Sequence, residues 1–411
     1  MTDTDLSAAV SVGGAPKDEA PPSASALRFK TYVEWAGYAA FIAVILVLPL
    51  FIDEFELNRL AKYLVYGMLG VAIALSWGYA GILNLGQGLF FGAGAYMIAM
   101  SLKLASPTSL AQGSDTPIPD FMLWNADPHA PVELCCINPA SFLWLPFQAT
   151  WFGVVMGIIL PVVIATVVGL TIFKKRVSGV YISIITLALV LLVRLVVIDA
   201  QPVTNGFNGL TDLSYLTVFG LEFDPYFAHT YYLVAILLSL VLVGARMLVS
   251  TRAGLILQAI RDDQNRVRYL GFDVPVYQTV FFAISAAIAG LAGMLYVIVA
   301  EFASPTFMDL AFSITMVVWA AVGGRSSLLG ACIGAILINT IEASVSETQA
   351  LVQAWQVIIG LLFVLVVLFL PRGLAGLSSD LVDLVLRLFN RRRPVAPQPA
   401  GEAMRPPVAA E

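Results

Sequence analysis

Two groups of residues in this sequence have types and spacings suited to chemistry, and neither group is catalytic. Asn84 and Gln87 stand one helical turn apart within Gly78-Tyr-Ala-Gly81-Ile-Leu-Asn84-Leu-Gly86-Gln87-Gly88-Leu-Phe-Phe-Gly92-Ala-Gly94-Ala-Tyr96. An unpaired amide in hydrocarbon costs several kcal/mol, so this pair needs partners. Those partners are either neighbouring helices or a neutral, hydrogen-bonding solute passing along the chain. Arg194, near the end of a later apolar run, is within reach of Asp199 and reads as an interfacial arginine or as part of a gate. Asn208-Gly-Leu-Thr211-Asp212 has turn composition and follows directly on that run. It is a plain turn or part of an outer gate.

The second group is Ala259-Ile-Arg261-Asp262-Asp-Gln-Asn-Arg266-Val-Arg-Tyr-Leu270-Gly271, a charged island between two long apolar runs. The pattern predicts a short helix along a membrane surface, closed by Gly271 at its C-terminus. Arg261, Asp262 and Arg266 would face a soluble partner, so the segment reads as a docking element through which a cytoplasmic motor pushes on the membrane part.

These groups must be positioned by membrane helices. Hydrophobic residues make up 59% of the 411 and charged ones 12%, about half of what a soluble domain carries. Apolar runs of about 20 residues recur, the length that crosses a bilayer as helix. The fold class is all-α, a polytopic transmembrane bundle with ten spans near 37–52, 63–80, 82–104, 151–173, 179–198, 230–250, 276–300, 308–323, 327–344 and 352–370. The run 63–104 is split at Trp77–Gly81, where glycines permit a break or a re-entrant segment. Val322-Gly-Gly-Arg325 is a similar glycine-broken turn, and the two breaks are candidate equivalent points of an inverted internal repeat.

Basic residues set the orientation. None occurs between Lys103 and Lys174 or between Arg194 and Arg246, so those acidic loops belong outside. All but Arg59, Lys62, Lys103 and Arg194 then fall inside, with both termini cytoplasmic. Residues 1–30 read as a disordered cytoplasmic tail, 31–377 as the membrane domain with an outer loop at 105–150, and 378–411 as a basic, then Pro/Ala-rich tail. No cleavable signal peptide is expected. Arg391–Arg393 is a lipid-headgroup cluster rather than a nucleic-acid site. Three cysteines exclude a disulfide framework, and adjacent Cys135 and Cys136 read as free thiols.

Enzyme classes find no support. His129 and His229 are far apart in sequence, and no phosphate-binding loop or proton-relay pair is present. No cofactor is expected on this chain, and the energy for movement must come from elsewhere.

Over roughly residues 60–377 the chain resembles the permease subunits of ABC importers of the branched-chain amino acid, amide and urea group. The resemblance rests on four blocks in order: Gly78–Tyr96; Gly179–Leu187 with Asn208–Asp212; Ala259–Gly271 with Ala286–Tyr296; and Ala321–Gly334 with Phe369–Gly373. Arg261-Asp-x-x-x-Arg-x-x-x-Leu-Gly271, Asn208–Asp212 and Val322–Arg325 look most like the urea-type branch. Gln87 stands where the family often has histidine, and Leu191 where the amino-acid branch often has a carboxylate. The outer loop also looks long. The resemblance implies a second homologous permease subunit, two cytoplasmic ATPase subunits carrying ATP and Mg, and a periplasmic or lipid-anchored solute-binding protein. It implies a bacterial inner-membrane location and a coupling helix bearing Arg261, Asp262, Arg266, Leu270 and Gly271. Alternating access would then import a small polar solute, with urea favoured because Asn84, Gln87 and Thr211 can meet it without buried charge. Branched-chain amino acids or short amides are the alternative. A stand-alone transporter or channel is the reading from another class.

Overall fold

The computed structural model describes residues 24–106, 119, 121, 143–177, 179–218, 220–347, 357, 360, 361, 364, 368 and 373–376. Two compact units are present. The first is Met1–Ala40 with Val382–Glu411, whose described part is the beginning of helix α1 (Ala24–Val47). That helix starts inside the segment expected as a tail.

The second unit, Phe41–Leu381, contains the other elements. These are α2 (Glu54–Ile73), α3 (Gln87–Ala105), α4 (Thr150–Lys174), α5 (Val180–Asp199), α6 (Ala228–Ser250), α7 (Arg252–Asp262), α8 (Gln264–Tyr269), α9 (Val274–Ala300), α10 (Leu310–Gly323) and α11 (Leu328–Glu347). A two-stranded antiparallel hairpin, β1 (Leu216–Val218) and β2 (Leu221–Phe223), pairs Thr217 with Glu222. Eight helices among the described residues are long and apolar enough to cross a membrane. α10 has 14 residues, about 21 Å of helix, and falls short of a hydrocarbon core of about 30 Å. The span expected at 352–370 lies largely outside the described residues.

α2, α3 and α9 form the interior: 72%, 89% and 83% of their most apolar stretches are buried, against 22% for α5. Small residues let them meet. A Cβ at Gly94 would lie 2.1 Å from the Gly290 carbonyl oxygen, and one at Gly293 only 1.9 Å from that of Phe91. The backbones of α3 and α9 therefore touch, the close approach that glycine faces give membrane helices. Gly70 does the same between α2 and Ala331 of α11.

α2 starts nine residues earlier than its hydropathy suggested. Glu54 and Glu56 sit in its first turn, where the helix dipole favours them. Buried Asn58 donates to the carbonyls of Pro225 and Val299 at 3.0 and 3.1 Å. Arg59, an outlier in the charge pattern, pairs with Glu56 at 2.9 Å and with Glu347 at 3.0 Å. Polar residues whose partners are distant in sequence extend the helix.

Candidate functional site

Asn84 and Gln87 do not sit together in one continuous span. α2 runs on as a π turn, Ala74–Tyr79, the chain leaves helical geometry at 80–86, and Gln87 is the first residue of α3. Gly81 has φ +70°, a conformation that strains other residues, and Arg261 Cγ lies 2.8 Å from where its Cβ would be. Irregular backbone inside a membrane protein must be satisfied by the protein itself. Here Ser183 Oγ donates to the Leu83 carbonyl at 2.8 Å, and the Leu85 amide donates to Thr186 Oγ1 at 3.2 Å. Arg261 Nη1 donates to the Gly78 carbonyl at 2.7 Å.

The two amides form a closed chain. Asn84 Nδ2 donates to Gln87 Oε1 at 2.6 Å, and Asn84 Oδ1 accepts from the Gly86 amide at 2.9 Å. Gln87 Nε2 donates to the Ser285 carbonyl at 3.2 Å and to its hydroxyl at 3.1 Å. Ser285 Oγ in turn donates to the Ala72 carbonyl at 2.7 Å. Asn84, Gln87 and Ser285 are all at least 99% buried, and together they tie α2, α3 and α9 at the break.

The charged island is two helices rather than one. Thr251 caps α7 by accepting from the Gly254 amide at 3.2 Å. At Asp263 the backbone turns extended (φ −156°, ψ 100°), and its carboxylate caps α8 through the amides of Asn265 and Arg266 at 2.9 and 3.2 Å. α8 ends as expected at Gly271, with φ +87°. Gly271 N bonds the Arg268 carbonyl at 2.9 Å and Phe272 N that of Val267 at 3.4 Å, the paired bonds of a Schellman ending. Ile260, Val267 and Val274 form a small core beneath, with Ile256 and Tyr277 against it.

The island's side chains divide by direction. Arg261 turns inward to Gly78 and also pairs with Asp262 at 3.0 Å. Arg266 is 86% exposed although it touches Asp263, and Tyr269 and Leu270 are 91% and 75% exposed. Of the residues expected to face a partner, Arg266 and Asp262 are exposed and Arg266 stands beside an apolar tip, while Arg261 reaches from the surface to the Gly78 carbonyl. The two glycine breaks also meet: a Cβ at Gly78 would strike the Arg325 carbonyl at 1.7 Å, Tyr79 Oη donates to the Ser326 carbonyl at 2.9 Å, and the Arg325 guanidinium lies 5.2 Å from the Trp77 ring centroid.

At the opposite end of α9, the segment after α5 is built rather than slack. Asn205 takes a left-handed conformation and donates to the Gly209 carbonyl at 2.8 Å. Leu210 and Ala303 exchange backbone hydrogen bonds at 2.8 and 2.9 Å. Buried Lys103 donates to the Thr211 carbonyl at 3.0 Å. Asn208, Thr211 and Asp212 are exposed. Asp212 lines a cavity of about 760 Å³ together with Ser214, Tyr215, Glu222 and Glu301. Burial, and then Asp224, raise the Glu301 carboxyl above its ordinary pKa, with Lys62 opposing. Arg194 does not pair with Asp199. Its Nε lies 2.5 Å from Asp309 Oδ1, off the axis of a directional hydrogen bond, and ties α5 to the start of α10.

Of the residues that complete these contacts, Ser183 and Thr186 fall in the Gly179–Leu187 block but were given no role, and Ser285 and Asp309 carry no motif. Glu342 of α11 also escaped. It is the only carboxylate between Leu328 and Ser346, and that isolation within an apolar run was its signal.

The described residues hold no cluster of metal-binding side chains. Fold and site define a multi-pass helical membrane protein of the transport class, with a broken central span tethered to a two-helix surface element. The chain belongs to the family described as branched-chain amino acid transport system / permease component, whose sequence profile matches residues 57–367. It is similar to the high-affinity branched-chain amino acid transport system permease protein LivM of Escherichia coli strain K12, 26% identical over 373 residues, covering 84% of this chain and 76% of the relative. The protein of the same description from Salmonella typhimurium strain LT2 is 24% identical over 370 residues, with the same coverage. No solved structure gives a significant match.

Proposed function

We propose that this chain is one permease subunit of an ATP-driven importer in the bacterial inner membrane, and that its solute is an aliphatic amino acid. One observation carries the mechanical part: the exposed tip Arg266–Tyr269–Leu270 belongs to an element whose Arg261 is bonded to the broken span at Gly78. ATPase subunits holding ATP and Mg would receive that tip on the cytoplasmic side, with both termini on the same side. A second permease subunit would complete the pathway. A solute-binding protein would deliver to the end bearing Asn208, Thr211 and Asp212. Closure of the ATPases would move α7 and α8, and the tether would carry that motion to the 80–86 segment, shifting the balance between outward-open and inward-open states.

The proposed solute follows the relatives' descriptions. Its support within the chain is that the Asn84 carbonyl and both functions of the Gln87 amide meet protein partners, so the amides that favoured urea already have their bonds. The test is uptake of labelled leucine and labelled urea at micromolar concentration, in cells with and without this chain and with its partner subunits present. ATP-dependent leucine uptake that requires the chain is expected. Urea uptake without leucine uptake would overturn the amino-acid assignment and keep the machine, and loss of the co-purifying ATPase requirement would overturn the machine.

A further inference from the structure

Glu342 is a half-buried carboxylate in α11 for which no hydrogen bond or ion pair is found among the described residues. A charge left alone in a membrane span is costly, and such residues mark binding or conduction sites more often than packing positions. Its depth is bracketed by two contacts between α2 and α11. Arg59 pairs with Glu347 toward one end, and Gly67 faces Cys332 and Ile336 further in. Glu342 lies five residues before Glu347, about 7.5 Å along the helix axis. With Gly70 packed on Ala331 and Ala335 of α11, that register places it level with the Tyr63–Tyr66 turn of α2.

Tyr66 is the centre of an aromatic cluster. Its hydroxyl lies 3.2 Å from that of Tyr296. Its ring centroid is 4.9 Å from Trp319 and 6.2 Å from Phe312, and those two lie 6.1 Å apart. Tyr66 and Phe312 are only half-buried, so part of the ring surface remains open. Trp319 Nε1, in the same cluster, is a buried donor without a hydrogen-bond partner among the described residues. A carboxylate beside electron-rich ring faces is the chemistry that receives a primary ammonium group, through charge and cation–π attraction together. Neighbouring apolar rings suit an aliphatic side chain. Urea carries no charge and would gain little from Glu342.

Resting on the amino-acid reading above, we propose that Glu342, with the open ring surface of Tyr66 and Phe312, receives the ammonium group of an aliphatic amino acid in transit. The experiment uses the complete transporter in vesicles with labelled leucine. Glu342→Gln keeps the shape and removes the charge, and should raise the leucine KM about tenfold or more, the loss falling on KM rather than Vmax. Unchanged KM overturns the proposal. Should this variant not assemble, the wild-type complex decides: an apolar carbodiimide labels Glu342, read by mass spectrometry, and saturating leucine should slow that labelling. Labelling at the same rate with and without leucine overturns the site. A wild-type transporter that carries urea and not leucine fails at the earlier step and takes this proposal with it, so the two failures are distinguishable.

Discussion

Arg261 Nη1 donates a hydrogen bond of 2.7 Å to the carbonyl oxygen of Gly78, joining residues 183 positions apart. It links the surface element to the last turn of the π segment, one side of the break that Asn84, Gln87 and Ser285 hold from the other. Removing it should separate docking from transport. Arg261→Gln loses a charge-assisted bond of about 1.5–3 kcal/mol. The expected result is a complex that still co-purifies its ATPase but moves leucine poorly per ATP hydrolysed.

The exposed tip should behave in the opposite way. Tyr269→Ala with Leu270→Ala removes side chains that are 91% and 75% exposed and touch little within the chain. The thermal stability of this subunit alone should be unchanged, while the amount of co-purifying ATPase falls sharply. Equal recovery of ATPase would show that docking lies elsewhere.

Gln87→Leu tests the internal network. The replacement leaves Asn84 Nδ2 and the Ser285 carbonyl without their partner, a cost of about 1–3 kcal/mol. Melting in detergent should shift downward, with the leucine-to-urea uptake ratio unchanged. A changed ratio at unchanged stability would place Gln87 in the solute path.

Glycine positions give a paired prediction. Gly94→Ala would drive a methyl into the Gly290 carbonyl and force α3 from α9, destabilising by about 1–3 kcal/mol or more. Gly244 of α6 is exposed with nothing within 4 Å of an added Cβ, so Gly244→Ala should be neutral or stabilising by up to about 1 kcal/mol. Comparing the two melting temperatures checks the packing.

Glu301 supplies a pH signature. Its raised pKa means that the folded state holds the proton more tightly than the unfolded chain, so ionisation at neutral pH works against folding. The penalty fades as pH falls through the raised value and is gone below the ordinary carboxylate value of about 4.3. Glu301→Gln should therefore stabilise relative to wild type at neutral pH, less the lost attraction to Lys62, with the gain vanishing in acid. A gain that persists in acid would point to packing instead.

Hydropathy located most of the helices, and composition marked a membrane protein, because both depend on runs of local sequence. The glycines at 78 and 81 likewise signalled the break. What they could not show is the unwinding of 80–86, since the groups that stabilise it are Ser183, Thr186 and Ser285, about 100 to 200 residues away. Arg194 illustrates the same limit. Asp199 was the local choice, but the partner is Asp309, brought near by the fold. The island's helical character was legible, and its bend was not, because Asp263 reads as one more charged residue until its carboxylate is seen capping α8.

α8 has six residues, and an isolated helix of that length would not persist in water. It persists here because Asp263 closes one end, Gly271 the other, and Val267 is anchored between Ile260 and Val274. The element is therefore ordered before any partner arrives, and association need not spend free energy on freezing it. A preformed, doubly capped peg also has little internal slack. Displacement applied at Tyr269 reaches Arg261 as movement of a stiff body, rather than being absorbed by local melting.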